Sequence, residues 1–225
     1  MIEAVIFDMD GVLIDSIASA HRAKSALLQR LGIDIDTVPD PHNEHHRGAS
    51  LQTFLDAVER HHQIQINRHQ FARDAIQYVY EDLQRQQVPA DVDLIHLLKG
   101  LRQEGVPCAI TSSGLRQSVN NKLHILGIKN YFQVIVSGDD VVEHKPNPAS
   151  YLYTIEQLGV TAEHCIVFED SRAGVLAGRA AGCTVIGFTC YNSASNLPED
   201  IHTVSGWSQV SYKMLMDAAD NPVLL

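Results

Sequence analysis

Two carboxylates one residue apart, Asp8 and Asp10, close an apolar run that begins Val5-Ile6-Phe7, and Gly11 follows them. Such a run reads as a fully buried strand. Groups at the C-terminal end of a strand in an open α/β sheet lie where ligands bind. Residues two apart in an extended chain point to the same side, so both carboxylates can serve one site while Met9 faces elsewhere. Like charges that close are costly unless a cation or a shared proton relieves them. A hard divalent ion would do so, and Mg²⁺ fits best where a phosphate supplies further oxygen ligands. An aspartate is also a competent covalent nucleophile. A strand followed by a plain polar turn has the same composition, so this stretch alone leaves both readings open.

Three further polar clusters follow apolar runs. Thr111-Ser112-Ser113-Gly114 comes after Val106 to Ile110, Lys145-Pro146-Asn147-Pro148 lies beyond Val134-Ile135-Val136, and Glu169-Asp170-Ser171 follows Cys165 to Phe168. If the runs are parallel strands, all four clusters share the carboxyl edge of one sheet. Thr111 then offers a hydroxyl and successive backbone amides, with Ser112 beside it, to phosphate oxygens at a helix N-terminus. Lys145 offers a compact positive charge. Glu169 and Asp170 can complete a hard-ion oxygen shell begun by Asp8 and Asp10. Each has a plain structural alternative: Thr111 as a helix cap, Lys145 as a solvated loop lysine, Glu169 as a tuning neighbour of Asp170.

The elements that must position these groups are readable from periodicity. Residues 16 to 30 predict a helix with Ala20, Ala23, Leu27 and Leu31 as its apolar stripe and Gly32 as its stop. Residues 32 to 49 form a polar connection containing Pro39, Asp40, Pro41, Asn43 and Gly48, with one short turn of helix. Leu51, Phe54, Leu55 and Val58 predict a second helix; Phe71, Ala75, Tyr78, Val79 and Leu83 predict a third. Residues 16–86 therefore read as a helical insertion between a first core segment, 1–15, and a second, 87–225, with Val88-Pro89-Ala90-Asp91 at the far boundary.

Beyond Pro89, helix and strand alternate. Helical stripes at Leu94 to Leu101, Val119 to Leu126, Ala149 to Leu158 and Ala173 to Ala181 separate the apolar runs, the last being Thr184 to Phe188. Such repetition implies parallel strands joined by right-handed helical crossovers, at least five strands in all. Residues 201 to 204 are a candidate edge strand, and Met214, Leu215 and Ala218 mark a candidate terminal helix.

Composition narrows the partners. With 17 basic and 27 acidic side chains among 225 residues the formal charge is −10, which argues against a nucleic-acid or anionic-membrane surface. Cys108, Cys165, Cys183 and Cys190 lack close metal-ligand spacing and read as reduced thiols in a cytoplasmic protein. The sequence shows neither a cationic start followed by an apolar stretch nor an apolar run near 20 residues, so neither secretion nor membrane spanning is expected. A monomer is expected rather than an obligate oligomer.

The four clusters together resemble the signatures of the haloacid dehalogenase superfamily: Asp8-x-Asp10-Gly11-Val12, Thr111-Ser112-Ser113, Lys145-Pro146 and Glu169-Asp170-Ser171-x-x-Gly174. The similarity covers essentially the whole chain. It is nearest to the branch of sugar-phosphate phosphatases and β-phosphoglucomutase. That resemblance implies an α/β fold, with a Rossmann-like parallel-sheet core and an inserted helical cap. It also implies Asp8 as nucleophile, Asp10 as general acid and base, and Thr111 with Lys145 on the phosphate. Mg²⁺ would be held by Asp8, Glu169, Asp170 and the backbone carbonyl of Asp10. The implied activity is Mg²⁺-dependent hydrolysis of a small phosphorylated metabolite, a sugar phosphate or sugar-acid phosphate, through an aspartyl-phosphate.

Two other functions are compatible with the motifs. A phosphomutase of the same branch would carry a histidine where this chain has Ala20, although His21 is adjacent. It would also carry an arginine two to three residues beyond the glycine matching Gly48, where Ser50-Leu51 stands here and Arg47 precedes. Both departures count against it. A catalytically silent binding module is allowed by fold alone, but the set of reactive residues is complete. His21, His45, His46 and Arg47 are the candidate substrate contacts of the cap. Six of the 12 histidines, His42, His45, His46, His61, His62 and His69, fall in that segment. His42 and His46 stand four apart, but Asn43 occupies the place of the glutamate that partners such a pair in a helical zinc site, and the histidines read as surface.

Overall fold

The computed structural model describes residues 2–39 and 51–220. The chain divides into two compact units, one formed by Ser16–Val88 and the other by Met1–Asp15 together with Pro89–Leu225.

Among its described residues the first of these units is helical: α1 (Ile17–Gln29), α2 (Leu51–His62) and α3 (Arg68–Gln86), with a single 3-10 turn at Ile35–Thr37. Leu27, Leu28, Phe54, Leu55, Val58 and Phe71 form its core. The apolar stripe expected on α1 needs one correction. The helix ends at Gln29, so Leu31 lies in the following turn and is 52% exposed, while Leu28 takes the buried position. Asn67 caps α3 by accepting from Gln70 N. Arg22 and Ser19 of α1 both bind Asp82 of α3, tying the two helices together by charge as well as packing.

The second unit is a parallel sheet. Its strands are β1 (Ala4–Phe7), β2 (Cys108–Thr111), β3 (Phe132–Val136), β4 (Cys165–Glu169), β5 (Thr184–Phe188) and β6 (Thr203–Val204), in the order β3-β2-β1-β4-β5-β6. The helices are α4 (Val92–Gln103), α5 (Arg116–Leu126), α6 (Ala149–Leu158), α7 (Arg172–Ala180) and α8 (Tyr212–Asp220). β2 begins two residues later than the apolar run suggests and ends one residue later. The Pro107 nitrogen carries no hydrogen for the ladder, though its carbonyl still accepts from Val5 N. The edge strand is real but only two residues long.

Every residue of β1 is fully buried, as a strand at the centre of a doubly covered sheet must be. Its alternation separates two packing layers. Ala4 and Ile6 join Val167, Tyr151 and Val175 on one side. Phe7 stacks on Phe168 with centroids 5.5 Å apart, and Trp207 packs against Phe168 and Phe188. The register places Phe7 opposite both Ile110 and Phe168. The next residue along each of the three adjacent strands is therefore Asp8, Thr111 and Glu169, so three of the four clusters of polar chemistry leave the sheet at one level. No helix of the described residues is long and apolar enough to cross a membrane.

Candidate active site

Asp8 and Asp10 sit where β1 breaks into a tight loop. Gly11 adopts a φ of 83°, and a side chain there would overlap the Asp170 carboxylate, so glycine is required for both conformation and space. The Asp170 carboxylate is in turn held by the amide of Asn192, from the loop after β5. Asp8 and Asp170 are each only 8% exposed.

Lys145 reaches into this cluster from the loop before α6. Its ammonium donates to Asp8 Oδ1 at 2.6 Å, Glu169 Oε1 at 2.6 Å and the Thr111 carbonyl at 3.0 Å. Those are all three protons of a lysine. Glu169 is fully buried and accepts four hydrogen bonds. Oε1 takes Lys145 and the Tyr151 hydroxyl, at 2.6 Å each; Oε2 takes Ser171 N at 3.3 Å and Ser171 Oγ at 3.1 Å. Ser171 also caps α7 through Gly174 N. A side chain at position 174 would overlap Glu169, which accounts for the glycine three residues beyond Ser171.

One expected contact is corrected. The Thr111 hydroxyl lies 2.7 Å from Thr154 Oγ1 of α6, with both residues fully buried, so it turns into the core and only the Thr111 carbonyl meets the cluster. Strand alternation is the physical cause: Thr111 is still the last residue of β2 and points under α6. The neighbouring Ser112 lies one residue past β2, its N–H still donating to the Val136 carbonyl of β3 at 3.0 Å, and its hydroxyl accepts from Gly114 N at 3.0 Å. A side-chain carbon placed on Gly114 would lie 3.2 Å from Ser112 Oγ and 3.9 Å from Asp10 Oδ2, so this loop borders the second aspartate.

The Asp10 carboxylate is paired with the buried Lys122 of α5. A lysine on a helix reads as solvent-facing, and Lys122 was not singled out from sequence; its only signal is its place between Val119 and Leu126 on the buried face of α5. Tyr151 and Asn192 were also missed, and neither carries a local sequence signal. His21 is exposed on α1, while His45, His46 and Arg47 lie outside the described residues.

Four carboxylates, Asp8, Asp10, Glu169 and Asp170, face two ammonium groups, Lys122 and Lys145. Burial and this excess negative charge together set the protonation of the cluster. Burial, reinforced by Glu169 and Asp10, pushes the Asp8 carboxyl up to about 7 even against Lys145. Burial and the charges of Asp8 and Glu169 hold Asp170 well above the ordinary range. Burial alone would lower Lys145, but Asp8 and Glu169 more than offset it and keep the ammonium charged.

Asp8, Glu169 and Asp170 each offer a carboxylate oxygen, the three within 4.8 Å of one another. Among the described residues this is the one group of three such ligands. An all-oxygen, over-negative, buried donor set fits a hard divalent cation. The Asp10 carboxylate stands outside that trio, engaged by Lys122.

The sign of the pH dependence follows. Asp8 and Asp170 bind protons more tightly folded than unfolded, so without metal their contribution to stability falls as pH rises from about 4 through about 7. A divalent ion should relieve that loss where the carboxylates are ionised. The rise in melting temperature on adding Mg²⁺ is therefore expected to be larger at about pH 8 than at about pH 5.5. Equal increments at the two pH values in a thermal-shift measurement would contradict this.

Comparison with known proteins gives the family. The family described as haloacid dehalogenase-like hydrolase matches residues 5–188. The chain belongs to this family and is a hydrolase. It is 28% identical over 225 residues to 6-phosphogluconate phosphatase of Escherichia coli K12, covering 92% of this chain and 97% of that protein. It is 32% identical over 195 residues to hexitol phosphatase A of the same organism, covering 87% and 83%. The solved structure of β-phosphoglucomutase from Clostridium difficile superposes with a TM-score of 0.84 at 24% identity, covering 100% of both chains, a likeness of fold.

Proposed function

We propose that this hydrolase is a Mg²⁺-dependent phosphomonoesterase that transfers the phosphoryl group of a small metabolite to Asp8 and then to water. The observation that carries the reading is Lys145 held between Asp8 and Glu169. That cation stands beside the nucleophile, where charge spreads over the phosphoryl oxygens in transfer. Curated relatives named phosphatases of 6-phosphogluconate, fructose 1-phosphate and phosphoglycolate support a sugar-phosphate or sugar-acid-phosphate substrate.

Lys145 holds Asp8 Oδ1 until phosphate binds, and Oδ2, which lacks that contact, is the oxygen assigned to attack. As the Oδ2–P bond forms, the bond from phosphorus to the ester oxygen breaks and Asp10 gives its proton to the departing alkoxide. Asp10, now ionised, takes a proton from water, whose oxygen attacks the aspartyl-phosphate; the Oδ2–P bond breaks and phosphate leaves. Lys122 holds Asp10 from the side of α5 through both halves. Ser112 and the amides after it are assigned to the phosphate oxygens in place of Thr111. Asp8 and Asp170, with Glu169 behind them, would hold Mg²⁺, which when bound lowers the repulsion between the nucleophile and the phosphate dianion. The helical unit Ser16–Val88 is assigned the role of cap, selecting the leaving group.

A panel of phosphorylated sugars and sugar acids, assayed for released phosphate with Mg²⁺ and with chelator, tests this. Release from some members, lost on chelation, is the expected result. No release from any member would defeat the proposal, and interconversion of a sugar 1-phosphate and 6-phosphate without net release would make the enzyme a mutase instead.

A further inference from the structure

The ammonium of Lys145 has one proton for each of its three acceptors, so its position depends on how firmly those acceptors are themselves held. The Thr111 carbonyl is part of β2 and is rigid. Asp8 cannot be the anchor, because in the proposed reaction its carboxylate must engage phosphorus. The remaining acceptor is Glu169 Oε1, and a glutamate side chain has three rotatable bonds of its own.

Two contacts immobilise it. Ser171, the N-cap of α7, pins Oε2. The Tyr151 hydroxyl, 2.6 Å from Oε1, pins the oxygen that holds the lysine. Tyr151 is fully buried on α6, and against a carboxylate, which only accepts, its hydroxyl is the donor. Its ring also carries Lys145 Nζ 4.8 Å from the centroid, within range of a cation–π contact. One side chain thus touches both members of the Lys145–Glu169 pair, from the interior side, without reaching Asp8.

We propose that Tyr151 is a positioning residue for phosphate binding, acting through Glu169 to hold Lys145 in place. This rests on the phosphatase reading. When phosphate arrives, one of the three lysine bonds must be exchanged, and the bond to Asp8 is the one free to go. The Tyr151–Glu169 contact keeps the lysine from following its other partner away from the site. Glu169 therefore serves as the anchor of the lysine, itself held by Tyr151 and Ser171.

Tyr151→Phe removes only the hydroxyl and leaves the ring. The expected result is a fall in kcat/KM of about ten-fold, the scale of one hydrogen bond to a charged group. Competitive inhibition by inorganic phosphate should weaken by a similar factor, while the Mg²⁺ concentration for half-maximal activity stays within about two-fold. Ile155→Val, a buried packing change on the same helix, is the control for lost stability and should leave phosphate affinity unchanged. In a Glu169→Gln background, Tyr151→Phe should weaken phosphate no further. Unchanged phosphate affinity in Tyr151→Phe, an equal loss in Ile155→Val, a parallel shift in Mg²⁺ dependence, or full additivity with Glu169→Gln would each overturn the proposal. Wild-type protein that releases phosphate from no ester would instead remove the phosphatase reading on which it rests.

Discussion

Asp8→Asn is expected to reduce turnover by roughly 10⁴-fold or more, the scale on which removing a covalent nucleophile acts, while leaving the fold intact. The substitution keeps the shape of the side chain and removes its charge and nucleophilic oxygen. Structurally it is well tolerated for a specific reason: burial already pushes the Asp8 carboxyl up to about 7, so the site favours a neutral group there. The melting temperature without metal at about pH 8 should accordingly be no lower than that of wild type. A rapid-quench experiment with substrate labelled in the phosphoryl group should show no acid-stable label on the variant protein. Native-like unfolding with wild-type turnover would refute the assignment of Asp8.

Lys145→Met has the second large effect, and it acts on activity and stability together. The thioether fills much of the space of the lysine stem but carries no charge. Asp8, Glu169 and Asp170 would then share a buried site without their common cation. Breaking a buried ion pair by removing one partner costs about 3–5 kcal/mol, and loss of an oriented cation from a phosphoryl-transfer site lowers kcat by about 10²–10³-fold. The stability loss should be greatest at alkaline pH. Below about pH 7 the Asp8 carboxyl takes up a proton and no longer needs the lysine, so the variant approaches wild type as pH falls toward the unfolded value near 4. Denaturant titrations at several pH values test this. A stability deficit independent of pH would mean that the lysine acts through packing alone.

Much of the architecture is legible because it is written in period and punctuation. The helix at Ala149–Leu158 and the strand beginning at Cys165 are apolar runs of the appropriate spacing bounded by turn residues, and the structure has them at those positions. The acidic and basic groups at strand ends are equally visible, since a charge directly after a buried run is conspicuous. What pattern cannot supply is the direction of a single side chain at a boundary. Thr111 and Ser112 are chemically alike and adjacent, and only the exact end of β2 decides which hydroxyl faces the core. Lys122 is hidden for a different reason. Its meaning depends on Asp10, 112 residues earlier, with which it pairs, and no local rule turns a helical lysine inward. Tyr151 reads as ordinary core, which it also is.

The order of strands in the sheet differs from their order of synthesis, and this bears on how the chain is made. β1, at the centre between β2 and β4, is the first of the six to leave the ribosome. Its neighbours Cys108–Thr111 and Cys165–Glu169 emerge only after the whole of Ser16–Val88 has been translated. At about 5–20 residues per second, the apolar Ala4–Phe7 segment waits several seconds with both hydrogen-bonding edges unpaired. The helical unit, with its local contacts, can fold during that interval, whereas the sheet cannot close until Glu169 is made. Phosphoryl-transfer competence is therefore a late event in biosynthesis, and the nascent chain is most exposed to aggregation or chaperone capture before β4 arrives.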